Sequence, residues 1–149
     1  MADQATERIH VEASPERCFE AAVDFERYPE WAGEVKAAEI LDRDCDGRGQ
    51  RVRYRISALG KTIHYVLEYD FSDAPTGFSW KLVEADMLRA LDGTYRFDDD
   101  GDGGTDLTYV LAVDIAFPMP GFMKRTAAGM IVQTALRDFK RYAESGGRG

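Results

Sequence analysis

Cysteine, histidine and proline are scarce in this chain: two, two and five of 149 residues. Cys18 and Cys45 form no Cys-x-x-Cys pair, which removes thiolate metal sites and dithiol redox motifs. Two unpaired thiols suit a reducing cytoplasm, the expected location. His10 and His64 are too few for a histidine-built zinc or iron centre, so no metal is expected, and no motif asks for a cofactor. No run approaches roughly 18 consecutive apolar residues, so no membrane-crossing helix and no stable membrane insertion are expected. The opening Met-Ala-Asp-Gln-Ala-Thr-Glu has neither the basic region nor the apolar core of a signal peptide. Positive charge is also short: 19 Lys and Arg face 27 Asp and Glu, for a net charge of −8. That field repels nucleic acid, which is therefore not expected as a partner.

What is present is ordinary core material, 44% hydrophobic and 11% aromatic. The length fits one domain over residues 1–149, able to bury about two thirds of its unfolded surface. Ile9-His10-Val11-Glu12 alternates as a half-buried strand does. Ser14 then reads as a helix N-cap with Pro15 as first helical residue, although Arg17 leaves the capping box incomplete. Cys18, Phe19, Ala22, Val23 and Phe25 recur at helical spacing. Pro29 pushes Tyr28 out of that helix and starts a second short turn.

Residues 34–116 read as strand throughout. The 34–41 run ends in the loop Asp42–Gly49, and Val52, Tyr54, Ile56 and Ala58 then alternate with Arg51, Arg53 and Arg55. Leu59-Gly60-Lys61 turns the chain into a strand with Ile63, Tyr65, Leu67 and Tyr69 on one face. Phe78, Trp80 and Leu82 line the next strand, and a long strand follows from Met87 to Phe97. After the Asp98–Gly104 hairpin, Leu107, Tyr109, Leu111, Val113 and Ile115 form the last. Pro118-Met119-Pro120-Gly121 opens a long amphipathic helix to about Tyr142, with Glu144 to Gly149 as a frayed tail. The sum is an α+β fold, about seven antiparallel strands curved around one long helix, with two short helices after the first strand.

Several motifs carry a family resemblance across nearly the whole chain. Ile9-x-Val11-x-Ala13-Ser14-Pro15-Glu16 leads into the first helix and Asp24-x-x-x-Tyr28-Pro29-x-Trp31 closes it. Gly93-x-Tyr95-x-Phe97, the Gly103-Gly104-Thr105 hairpin and Phe139-x-x-Tyr142 follow in order. With these the chain resembles the START-like (SRPBCC) superfamily, the helix-grip group that includes polyketide cyclases/dehydrases and lipid-transport proteins. The resemblance implies a cavity between sheet and helix for a sterol, lipid, quinone or polyketide, and in some members aromatase, cyclase or dehydratase activity. It does not choose among them.

The residues narrow the field. Tyr54, Tyr65, Tyr69, Trp80, Tyr95 and Tyr109 share parity with apolar neighbours and point inward, where rings stack on a flat ligand and hydroxyls orient it. Tyr65 and Trp80 are the most central. Met123, Ala127 and Met130 on the long helix complete the candidate ligand contacts. Arg89 shares parity with Leu91, Gly93 and Tyr95 and is expected inside, paired with Glu84 or with a ligand carboxylate or enolate, unless a bulge near Asp86-Met87 inverts it. Arg89, Tyr65 and Tyr69 are the candidates for any catalysis. A true ligand cavity should exceed about 300 Å³.

Other features point away from chemistry. His64 falls on the outward face, and no Ser-His-Asp set or carboxylate pair shares inward parity. Asp98-x-Asp100-x-Asp102-Gly103 begins like a calcium loop but has Tyr109 where the closing Glu belongs, so a solvated hairpin tip is expected. Phe117 to Met123 is a stiff apolar segment that reads as a lid at the cavity mouth or a buried connector. The expected function is binding of a hydrophobic or aromatic small molecule, with a polyketide aromatase/cyclase or dehydratase as the alternative.

Overall fold

The computed structural model describes residues 3–58 and 60–145. Leu59 of the expected turn and residues 146–149 of the expected tail lie outside them. The chain runs β1 (Asp3–Val11), α1 (Pro15–Val23), a 3-10 turn (Phe25–Arg27), α2 (Tyr28–Trp31), β2 (Val35–Arg43) and β3 (Gly49–Ala58). It continues through β4 (Lys61–Asp70), β5 (Gly77–Ala85), β6 (Leu88–Asp99), β7 (Thr105–Ile115) and α3 (Gly121–Glu144). The strands form one open sheet in the order β1-β7-β6-β5-β4-β3-β2, with every neighbouring pair antiparallel. Consecutive β1 and β2 are thus opposite edges, and α1, the 3-10 turn and α2 carry the chain between them. This is the helix-grip α+β arrangement, with α3 held chiefly against β1 and β7.

Local chemistry explains the boundaries. Ser14 has an extended backbone and its Oγ accepts a hydrogen bond from the Arg17 amide at 3.2 Å, so the cap forms without the capping box. Tyr28, expected to leave the helical region ahead of Pro29, stays in it with φ −52° and ψ −40°. Its ring is wedged between Phe25 and Trp31, and its hydroxyl donates to the Ala22 carbonyl. That packing outweighs the steric preference of a residue before proline. Glu144, expected in the tail, ends α3: its carboxylate accepts from the Glu12 amide at 2.9 Å and from Lys140 Nζ at 2.6 Å.

Alternation holds along β3, β4 and β7, where the expected inward residues are buried or half-buried. It fails at two bulges. On β5, Leu82 faces Leu67 and Glu84 faces Val66, so Val83 is an extra residue and Glu84 is turned to solvent. On β6, Leu88 pairs with Ile115 and Ala90 with Asp114, leaving Arg89 as the extra residue.

Aromatic rings dominate the core beneath α1. Phe25 is fully buried, stacks on Tyr69 at 4.3 Å between centroids and meets Phe78 edge-on at 6.4 Å. Phe19 meets Phe78 and Phe97 edge-on, each at 6.2 Å. Gly49 is needed there, since a Cβ at that position would sit 2.9 Å from the Phe25 ring. Trp31 ties α2 to α3, stacking on Tyr142 at 5.2 Å and touching Phe139 edge-on at 5.6 Å.

Candidate functional site

Between the inner face of the sheet and α3 the walls do not meet. The gap is a cavity of about 130 Å³. That volume falls short of the ~300 Å³ expected for a small-molecule site. The shortfall has a plain cause: the rings expected to form the wall project into the space. Tyr54, Tyr65, Tyr69, Trp80, Tyr95 and Tyr109 all line it. Tyr54 and Tyr65 are 5.3 Å apart, Tyr95 and Tyr109 4.5 Å, and Trp80 lies 5.3 Å from Tyr95. Gly93 gives the indole its place, because a Cβ there would fall 2.3 Å from Trp80 Cζ2 and 2.8 Å from the Val110 carbonyl.

The phenols differ in what they hold. The Tyr54 and Tyr69 hydroxyls share one hydrogen bond of 2.6 Å. Among the described residues the hydroxyls of Tyr65, Tyr95 and Tyr109 have no hydrogen-bond partner, although Tyr95 and Tyr109 are 7% and 6% exposed. Burial pushes all five phenol pKa values up. They stay protonated at any physiological pH and serve as donors and orienting groups rather than bases.

Arg89 is not in the cavity. The bulge at that residue inverts its parity, and the guanidinium lies outside, 62% exposed, 3.7 Å from Asp114 and 3.3 Å from the Ile115 carbonyl. Leu88 and Leu91, on either side of the bulge, line the cavity in its place. The candidate electrophile is therefore absent from the wall, and Glu84 is not its partner. Of the catalytic candidates only Tyr65 and Tyr69 are there.

The helix face is also corrected. Met123 and Met130 are exposed, and Ala127, though fully buried, packs in the core away from the cavity. α3 instead presents Ile131, Thr134, Ala135 and Asp138. Its packing against β1 and β7 sets which face meets the cavity, and helical hydrophobicity alone does not reveal Thr134 or Asp138 there. Small and polar side chains on the covering helix are what leave room inside.

Opposite them stands the α2–β2 turn, anchored where the Gly33 amide donates to Asp138 Oδ2 at 3.1 Å. This turn brings Trp31 and Glu34 to the wall, two residues that strand parity cannot find because they lie outside the strands. Trp31 Nε1 is buried without a partner. The half-buried Glu34 carboxyl has its pKa raised by burial first and by the Asp138 charge second, with Lys36 opposing. No Lys, Arg or His lines the cavity among the described residues.

The remaining candidates stay apart from this space. His64 is exposed, with Nδ1 3.3 Å from an Asp86 carboxylate oxygen. At the acidic hairpin Asp100 Oδ1 accepts from the Asp102 and Gly104 amides, and the Asp100 and Asp106 carboxylates both face His10 Nδ1, each at 3.5 Å. Among the described residues no three His, Cys, Asp or Glu side chains gather to hold a metal ion. The 117–123 segment is split: Phe117 and Met119 pack half-buried against the core, with Phe117 5.7 Å from Lys61 Nζ at the β3–β4 turn, while Phe122 is 64% exposed and Met123 is exposed too. No described helix is long and apolar enough to cross a membrane. A wider depression lined by Asp44, Glu68, Asp70 and Lys81 is open and polar.

The same architecture occurs in solved structures. A START superfamily protein from Mycobacterium smegmatis superposes with a TM-score of 0.88 at 25% identity, over 95% of this chain and 97% of the other. The Zhui aromatase/cyclase from a Streptomyces species gives 0.83 at 16% identity, over 100% and 98%. A protein from Thermus thermophilus gives 0.78 at 21%, over 99% and 100%. No curated protein matches the sequence. The family model for polyketide cyclase/dehydrase and lipid transport matches residues 2–144, and the chain belongs to that family.

Proposed function

We propose that this protein binds a compact hydrophobic, ring-bearing molecule in the cavity between the sheet and α3. One observation carries the reading: eight aromatic side chains line a single largely apolar space, and three of their hydroxyls have no protein partner among the described residues. These hydroxyls open onto the space, where a ligand or water can take their hydrogen bonds. As the rings stand the cavity is smaller than a ligand site, so a compact ring system such as a quinone or aromatic polyketide enters only if the lining rings give way, and a long-chain lipid fits worse. An exposed free thiol, Cys45, fits a reducing cytoplasm as the place of action.

A second reading rests on the fold shared with the Zhui aromatase/cyclase: a cyclase or dehydratase acting on a polyketide in the same space. With Arg89 outside, such an enzyme would have neutral phenol donors, Tyr65 and Tyr69 among them, and no lining cation to polarise a carbonyl. Binding is therefore the stronger reading.

Native mass spectrometry of freshly purified protein tests it. A co-purifying small molecule that is displaced by added naphthalene is the expected result. Failure of the protein to take up either a native ligand or naphthalene would remove the cavity as a binding site.

A further inference from the structure

The cavity's polar groups are not spread evenly. They collect where the α2–β2 turn faces α3. Glu34 comes from the turn, and Thr134 and Asp138 stand one helical turn apart on α3. Asp138 is already satisfied, with Oδ2 accepting from the Gly33 amide and Oδ1 from Arg141 Nη2 at 2.9 Å. The Glu34 carboxylate makes no hydrogen bond or ion pair among the described residues. In the same cavity, the Tyr109 side chain is more than nine-tenths buried with its hydroxyl unpartnered, and Trp31 Nε1 is a sealed, unpartnered donor.

Resting on the binding function proposed above, we propose that this side of the cavity selects a ring ligand by a hydrogen-bond donor, a phenolic O–H or an amine N–H, which bonds to the Glu34 carboxylate. A half-buried carboxylate with open lone pairs gains most from a donor, since a bond to a charged acceptor is stronger than one between neutral groups. The same wall rejects anions. A ligand carboxylate or phosphate would be desolvated beside Glu34 and Asp138 with no cation lining the cavity to meet it. Tyr109 and Tyr65 complete the site, because their hydroxyls can donate to the ligand oxygen that Glu34 accepts from. The charge of Glu34 raises both phenol pKa values, which places it within electrostatic reach of them.

Four probes with one ring system separate the terms: naphthalene, 2-naphthol, 2-naphthalenemethylamine and 2-naphthoate, titrated into the full chain at neutral pH by calorimetry. The naphthol or the amine should bind at least about tenfold tighter than naphthalene, and the naphthoate weaker than naphthalene. Glu34→Met should bring naphthol and amine to the naphthalene level while naphthalene binding is kept, which also reports an intact cavity. Glu34→Gln, which keeps an acceptor, should retain part of the naphthol preference and lose that of the amine. Equal binding of all four probes, or a preference that survives Glu34→Met, would overturn this inference and leave the cavity function standing. No binding by any probe would overturn both.

Discussion

The inner face of the sheet is aromatic at both ends, yet one end is solid and the other hollow. Beneath α1, Phe78 and Phe97 are met edge-on by the rings of Phe19 and Phe25. Beneath α3, Tyr54, Tyr95 and Tyr109 are met by Ile131, Thr134 and Ala135, and space remains. The sheet supplies rings in both places, so ring content does not make a cavity. The size of the side chains on the covering helix does. The two ends therefore answer differently to changes in volume.

The largest effect is expected where there is no space. Phe25→Ala removes a fully buried ring stacked on Tyr69, and should cost about 3–5 kcal/mol, lowering Tm by roughly 10 °C. Thermal unfolding followed by circular dichroism measures it. A loss under about 1 kcal/mol would mean that this end is as loosely filled as the other, and the contrast would vanish.

Ala135→Leu makes the opposite change at the hollow end. The added carbons enter existing space, so stability should move by less than about 1 kcal/mol while naphthalene binding falls about tenfold or more. A large destabilisation with unchanged binding would show that the gap is elsewhere.

The solid end is the more legible one in the sequence. Ser14-Pro15 announces α1 by cap chemistry, and Phe19 and Phe25 follow at helical spacing. The six cavity rings on the strands are legible too, because β3, β4 and β7 alternate cleanly through their share of them. Parity misplaces Arg89 because it survives only until a residue is inserted, and an insertion leaves no compositional trace. The helix contacts are misplaced for another reason. Met123, Ala127 and Met130 belong to the apolar stripe, as do Ile131 and Ala135 of the wall, whereas Thr134 and Asp138 are wall residues that hydrophobicity passes over. Glu34 sits in a turn with no periodicity and acquires its meaning only when Gly33 is pinned to Asp138.

Glu34 also gives the hollow end a pH signature that the solid end lacks. Its pKa is raised in the folded protein from an ordinary 4.5, by burial and then by Asp138, with Lys36 opposing. The native state therefore holds this proton more tightly than the unfolded chain does. The stabilisation is fully present below the unfolded value and is lost as pH rises through the folded one. Glu34→Gln, which cannot ionise, should leave Tm nearly unchanged at pH 4 relative to the parent chain. At pH 7 it should raise Tm by about 1–2 °C, a small figure because the group is half exposed and solvent screens it. Melting curves of both proteins across that range read the difference. A Tm gain that is the same at both pH values would show that Glu34 acts through packing, and a gain confined to pH 4 would reverse the sign and place its carboxylate in a favourable pairing instead.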